Sequence, residues 1–275
     1  MKFPQILATL TEEPLLITPN AHAALLKMFE EHATLSREQF KSLREGTDFC
    51  GDSVEVPQAE VRDGIMYLPI GGPIGKGLGG FEKGAGCVDC ADICDELDKM
   101  EEDPMCRAAI LVIDSPGGMV QGIASVADKI LSCDKPIYAF TDGQMCSAAY
   151  WIACSSDAVF ATGDSDVGSI GSYCYLLDQS KRYADAGVKP VLVTSGKFKG
   201  MGAPGVPFTK DQIALLQQRI DDISEKFYSH VEEMRGAANV SREDMQGQTF
   251  AGDRAVTNGL IDDVVDDLDD VAALL

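Results

Sequence analysis

The stretch Ala108-Ala109-Ile110-Leu111-Val112-Ile113-Asp114-Ser115-Pro116-Gly117-Gly118 decides how this chain folds. Its first six residues are apolar without alternation, the pattern of a strand buried on both faces of a sheet. Ser115-Pro116-Gly117-Gly118 then stops the strand sharply. Val120, Ile123, Val126 and Ile130 recur at helical spacing, and residues 137–140 form the next apolar run. Strand, glycine turn, helix and strand make a βαβ unit. The fold class is therefore α/β, with a partly parallel sheet.

The same reading extends in both directions. Upstream, residues 65–70 read as a strand and 87–100 as a helix with Ile93, Leu97 and Met100 on one face. Between them, residues 71–86 carry eight glycines. They read as a loop, a flexible lid or substrate edge, because the ending of a phosphate-binding P-loop is missing. Downstream, 158–161 reads as a strand and 163–171 as a turn. A helix through Leu176, Leu177 and Tyr183 closes at Gly187, followed by a strand at 190–194 and a loop at 196–207. Thr209 and Gln212 are spaced as a capping box. They open a long helix whose Ile213, Leu216, Ile220, Ile223, Phe227, Val231 and Met234 form one apolar stripe, ended by Gly236. A helix at 253–258 and a strand at 261–265 close the domain.

Residues 1–60 read as an N-terminal leader or appendage, with a helix at 21–29 (Leu25, Met28 and Phe29 on one face) and a loosely ordered connection at 30–53. Residues 61–266 form the main domain, and 267–275 an acidic-apolar tail. The run 262–270 looks solvated or partner-facing. A formal net charge of −21 argues against binding nucleic acid through its phosphates, which needs clustered Lys and Arg. No run of about 18 apolar residues exists, so no membrane span is expected. The start Met1-Lys2-Phe3-Pro4 lacks the pattern of a secretory signal. Nine cysteines, an odd number, then point to free thiols in a reducing cytoplasm. Cys87, Cys90 and Cys94 read as small packing residues, since no second ligand pair follows at zinc spacing. No metal and no cofactor is expected.

Chemistry concentrates in Asp142-Gly143-Gln144-Met145-Cys146-Ser147-Ala148-Ala149-Tyr150. Ser147 falls at a turn from strand to buried helix, where backbone N–H groups have no partners and could receive an oxyanion. A plain N-cap serine is the alternative. A serine nucleophile needs a base. His22 and His32 lie in the leader and read as surface or interface residues. His230 lies on the long helix, which disfavours a Ser-His-Asp triad. Lys199, in Ser195-Gly196-Lys197-Phe198-Lys199-Gly200-Met201-Gly202, is the other choice, against the alternative of a solvent-facing lysine. Such a lysine must be neutral, so burial has to lower its pKa from about 10.4.

Four ordered blocks carry a resemblance: Asp114-Ser115-Pro116-Gly117-Gly118, Met145-Cys146-Ser147-Ala148-Ala149-Tyr150, Gly168-Ser169-Ile170-Gly171 and Ser195-Gly196-Lys197-Phe198-Lys199. With the closing block from Phe250 to Asp262, they resemble the signal peptide peptidase A family of serine–lysine peptidases over residues 62–266. The leader Glu13-Pro14-Leu15-Leu16-Ile17-Thr18-Pro19 is similar to that of the phage and prophage head-maturation proteases of that family. The resemblance implies a crotonase/Clp-protease-like core of ββα units. It implies Ser147 as nucleophile, Lys199 as general base, Ser169 as the hydroxyl that orients the lysine, and the amides of Gly117 and Ala148 as the oxyanion hole. It also implies a peptide or protein substrate such as scaffold or capsid proteins, and a homo-oligomeric ring with composite sites, located in the host cytoplasm or assembling prohead. The stripe from Ile213 is the candidate interface. Ala148-Ala149 and Gly200 depart from residues common in the family and bear on substrate preference. Competing readings are a cellular signal-peptide- or peptide-degrading peptidase of the same family, an acyl-CoA enzyme of crotonase fold, and a non-catalytic capsid component.

Overall fold

The computed structural model describes residues 10–11, 13–33 and 58–275. The expectations for Met1–Pro4 and for most of the connection at 30–53 lie outside these residues. In chain order the elements are β1 (Leu15–Ile17), α1 (Pro19–Ala33), β2 (Glu60–Arg62), β3 (Ile65–Gly71), β4 (Ile74–Gly75), α2 (Gly80–Gly84), β5 (Val88–Asp89) and α3 (Cys90–Glu102). There follow β6 (Ala108–Asp114), β7 (Gly117–Met119), α4 (Ile123–Leu131), β8 (Ile137–Thr141), β9 (Gln144–Cys146), α5 (Ala148–Ala153), β10 (Ala158–Ala161) and β11 (Asp166–Gly168). The chain ends with α6 (Ser180–Asp185), α7 (Lys210–Arg235), β12 (Thr249–Ala251), α8 (Gly252–Thr257), β13 (Asp263–Val264) and α9 (Leu268–Ala272).

The main sheet runs β13-β10-β8-β6-β3-β2, parallel throughout except for the β2–β3 edge. The continuous apolar run of β6 has its explanation here. Ala109, Leu111 and Ile113 face the main core with α3, α4 and α5. Ile110 and Val112 face a second layer with Phe140, Phe160 and Val271. Both faces are covered, so alternation disappears from the sequence. A second sheet, β1-β7-β4-β5, and a third, β12-β11-β9, stand above the strand ends. They hold the glycine turn and the Ser147 turn.

Helix α7 begins as read: Thr209 and Gln212 form the capping box, and Gly236 ends it with φ 82°. Its C-terminal half docks through Phe227, which stacks on Trp151 at 4.6 Å between ring centroids, and through buried Val231. At its N-terminal end Ile213 and Leu215 are exposed. Much of the stripe is thus consumed within the chain, and only its start remains open.

Several expectations are corrected. Residues 190–194 form no strand: Val191 is 81% and Val193 90% exposed, with no neighbouring ladder. A β-branched run favours a strand only where another strand pairs with it. The helix expected through Leu176 is confined to Ser180–Asp185, and Leu177 is exposed. The turn at 163–171 contains β11, and the loop at 71–86 contains β4 and α2. These pieces are of two to five residues, too short to leave a periodic signal. His22 is buried rather than a surface residue. The acidic tail is not wholly solvated: Asp267 caps α9, Val271 is fully buried, and Asp262 pairs with Arg235 at 2.8 Å.

Candidate active site

The glycine turn after β6 is fastened from two sides. Ser115 N donates to Gln144 O at 2.7 Å and Cys146 N to Ser115 O at 3.1 Å, which draws the turn onto β9. Ser115 Oγ donates to Gly72 O at 2.6 Å, tying it to the end of β3. Gly117 is thereby pressed against Ser147. A Cβ on Gly117 would collide with the Leu16 carbonyl, lie 2.9 Å from Ser147 Cβ and lie 3.0 Å from Cys146 O. Its φ is 100°, so both space and backbone demand glycine here. The Gly117 amide donates to Ser115 Oγ at 3.2 Å, at the long end of the N–H···O range.

Ser147 links β9 to α5 with φ 55° and ψ −117°, a backbone that non-glycine residues rarely adopt. It is 1% exposed, and its amide donates to Gly168 O at 2.7 Å. It stands at the N-cap position, yet its side chain makes no capping hydrogen bond. Asp89, Thr209, Ser241 and Asp267 do cap their helices in the same chain. The hydroxyl of Ser147 is therefore not engaged in the role that the plainer alternative gave it. Strain at an uncapped, buried serine is the kind of outlier that points to a functional site.

Cys146 is the neighbouring rival nucleophile. Burial pushes its thiol up to about 12, with Asp166 adding to the effect. The thiolate is the reactive form, so Cys146 stays inert near neutral pH. Ser169 also has positive φ, 52°, and its amide donates to Gln248 O at 2.8 Å. Gly168 before it leaves only 2.9 Å between a would-be Cβ and Gln248 O. The closing block near β12 thus sets the position of Ser169. A cleft of about 600 Å³ runs along this region, lined by Thr18, Asn20, Pro116, Cys146, Ser169 and Gln248. Ala148, which opens α5, is fully buried.

Lys199 lies on an exposed turn, where its backbone N–H donates to Gly196 O at 3.0 Å, and its side chain does not reach Ser147 in the single chain. The structure brings Ser147, Gly117, Ala148 and the Gly168–Ser169 backbone together and leaves Lys199 outside that group. The histidines are used otherwise. His22 bonds to Tyr173 Oη at 2.8 Å and Leu10 O at 2.7 Å. His230 bonds to Ser155 Oγ at 2.8 Å and stacks beside Trp151. Among the described residues, no group of three His, Cys, Asp or Glu side chains is placed to hold a metal.

Burial lowers the His230 pKa, although Glu233 and Asp128 pull the other way. Unfolding then takes up a proton below the ordinary value of about 6.5. The stability His230 contributes is fully present above about pH 6.5 and is lost as pH falls through the lowered folded value. Replacing His230 with Gln should flatten the fall in melting temperature between about pH 7.5 and 5. Parallel acid curves for the two proteins would contradict this.

The strand ends thus bring a buried serine, a glycine turn and a second Gly-Ser turn side by side. Residues 129–275, more than half of the chain, match peptidase family S49, and the chain belongs to that family. It is 27% identical over 217 residues to capsid assembly protease C of Escherichia phage lambda, covering 78% of this chain and 49% of that protein. It is 25% identical over 207 residues to the chloroplastic serine protease SPPA of Arabidopsis thaliana, covering 74% and 31%. A ClpP1 mutant from Listeria monocytogenes superposes with a TM-score of 0.48 at 14% identity, covering 74% of this chain and 92% of that chain. The chain spans about half the length of the curated relatives it matches first. Among the described residues, no helix is long and apolar enough to cross a membrane.

Proposed function

We propose that this chain is a serine endopeptidase working through an acyl-enzyme on Ser147, and that it processes scaffold or capsid proteins during phage head assembly. The observation that carries the reading is the buried, strained and uncapped Ser147 pressed against Gly117. Ser147 Oγ attacks the substrate carbonyl carbon while a neutral Lys199 Nζ takes its proton. The amides of Gly117 and Ala148 hold the oxyanion. Collapse expels the amine, which takes the proton back from Lys199, and water then hydrolyses the ester by the same steps. Ser169 orients the lysine. The name of the lambda relative supports the capsid substrate.

A lysine becomes a base only where burial favours its neutral form. Lys199 is exposed in the single chain, so that burial falls to a neighbouring subunit, in a ring whose sites combine Ser147 of one copy with Lys199 of another. Two dead proteins test this. Ser147→Ala and Lys199→Ala should each lose cleavage of a capsid or scaffold protein. Mixed and reassembled, they should recover up to about a quarter of wild-type activity, the statistical share of intact composite sites in a random mixture. No recovery in rings shown to contain both chains would exclude composite sites. Full activity of Lys199→Ala alone would exclude the dyad.

A further inference from the structure

We propose that strand β1, in the leader, is a built-in occupant of the peptide-binding edge, so that a substrate must displace it to reach Ser147. The inference rests on the peptidase reading above. An extended peptide most simply reaches a nucleophile on a sheet by adding a strand to an open edge beside it. Here no such edge is open among the described residues. Strand β7, which carries Gly117, is paired by β4 on one side and by β1 on the other. Strand β9, which leads into Ser147, is paired by β11 and bridged by Ser115. Strand β4 and Ser115 belong to the main domain. Only β1 comes from a distant segment.

Its placement is that of a bound peptide. Leu16 faces Gly118 and Ile17 faces Gly117 in antiparallel register. Leu15 exchanges backbone bonds with Tyr173, at 2.9 and 3.2 Å, and Thr18 N donates to Pro116 O at 2.9 Å. The Leu16 carbonyl and Ser147 Cβ crowd the same side of Gly117. Leu16 inserts into the main core, whereas Leu15 and Ile17 pack with α1 residues and Tyr173. Two of the three β1 side chains thus pack within the leader's own cluster, while the ladder to β7, the Tyr173 and Pro116 bonds and Leu16 join it to the domain. His22 latches it to Tyr173, and Glu13 pairs with Arg219 on α7 at 2.6 Å in an exposed ion pair. A pair so exposed is weak, which suits a segment that lifts away.

Occupancy lowers the apparent reactivity of the site by the fraction of time that the leader is away. The test uses the full chain and a peptidyl phosphonate, an extended peptide bearing a serine-reactive group. Hydrogen exchange of the segment holding the Leu15 and Thr18 amides is followed before and after labelling. In the free protein these amides should be protected, and labelling should release them. A His22→Ala/Arg219→Ala variant, which weakens both latches and leaves the core intact, should be labelled up to about tenfold faster. A small fluorophosphonate with no peptide should label both proteins at more similar rates. Labelling of Ser147 with the leader amides still protected would overturn the inference and leave the peptidase reading standing. Labelling of the variant but not of the wild type would support the inference strongly. No labelling of either protein by either reagent would overturn both.

Discussion

Replacing Ser147 with alanine should reduce peptide hydrolysis by about 10³- to 10⁶-fold, the range seen when a peptidase loses its nucleophile. The fold should survive, because the hydroxyl makes no capping bond. A second substitution separates chemistry from strain. At φ 55° and ψ −117° a Cβ is unfavourable, and the cost of such a conformation is about 1–3 kcal/mol. Ser147→Gly should be as inactive as Ser147→Ala but more stable than it by about 1 kcal/mol, since glycine relieves the backbone. For a chain of this size that is about 2–4 °C in melting temperature. Turnover in either variant near the wild-type rate would remove Ser147 from the mechanism. A glycine variant no more stable than the alanine variant would show that the turn is not strained.

The second large effect is expected at Gly117. Alanine there meets three obstacles together: the Leu16 carbonyl, Ser147 Cβ at 2.9 Å and Cys146 O at 3.0 Å, all at φ 100°. Backbone strain and overpacking each cost about 1–3 kcal/mol. Gly117→Ala should therefore lose about 2–5 kcal/mol of stability, on the order of 10 °C in melting temperature. It should also lose nearly all activity, because even with β1 displaced the contacts with Ser147 Cβ and Cys146 O are relieved only by moving β7 away from Ser147. An alanine variant with unchanged melting temperature and turnover would contradict this packing.

The α/β class, the parallel strands β6, β8 and β10, helix α3 and both ends of α7 were legible in the sequence. Each is long enough for apolar periodicity or capping chemistry to show in local order, as with Thr209, Gln212 and Gly236. The turns that hold Gly117 and Ser147 were legible as turns after buried strands, and the chemical roles of both residues remain proposals. The resemblance to the signal peptide peptidase A family is matched by family membership. Lys199, Ser169 and Ala148 are proposals for chemistry on the same footing. What the sequence could not display was pairing between distant segments. Strands β4, β9 and β11 are two or three residues long and exist through their ladders. Val191 and Val193 have strand-like side chains but no ladder.

By itself, then, the sequence determined the core, since burial on both faces of β6 is dictated by consecutive apolar side chains. It also determined the identity of the turn residues, since positive φ selects glycine and penalises the rest. Only the tertiary structure decided that Leu15–Ile17 lies along β7 and that Ser147 has no cap to make. It likewise decided that His22 is a buried latch and that Lys199 stands outside the site in a single chain. The reason is that hydrogen bonds and close approaches between segments far apart in the chain leave no periodic trace in either segment alone.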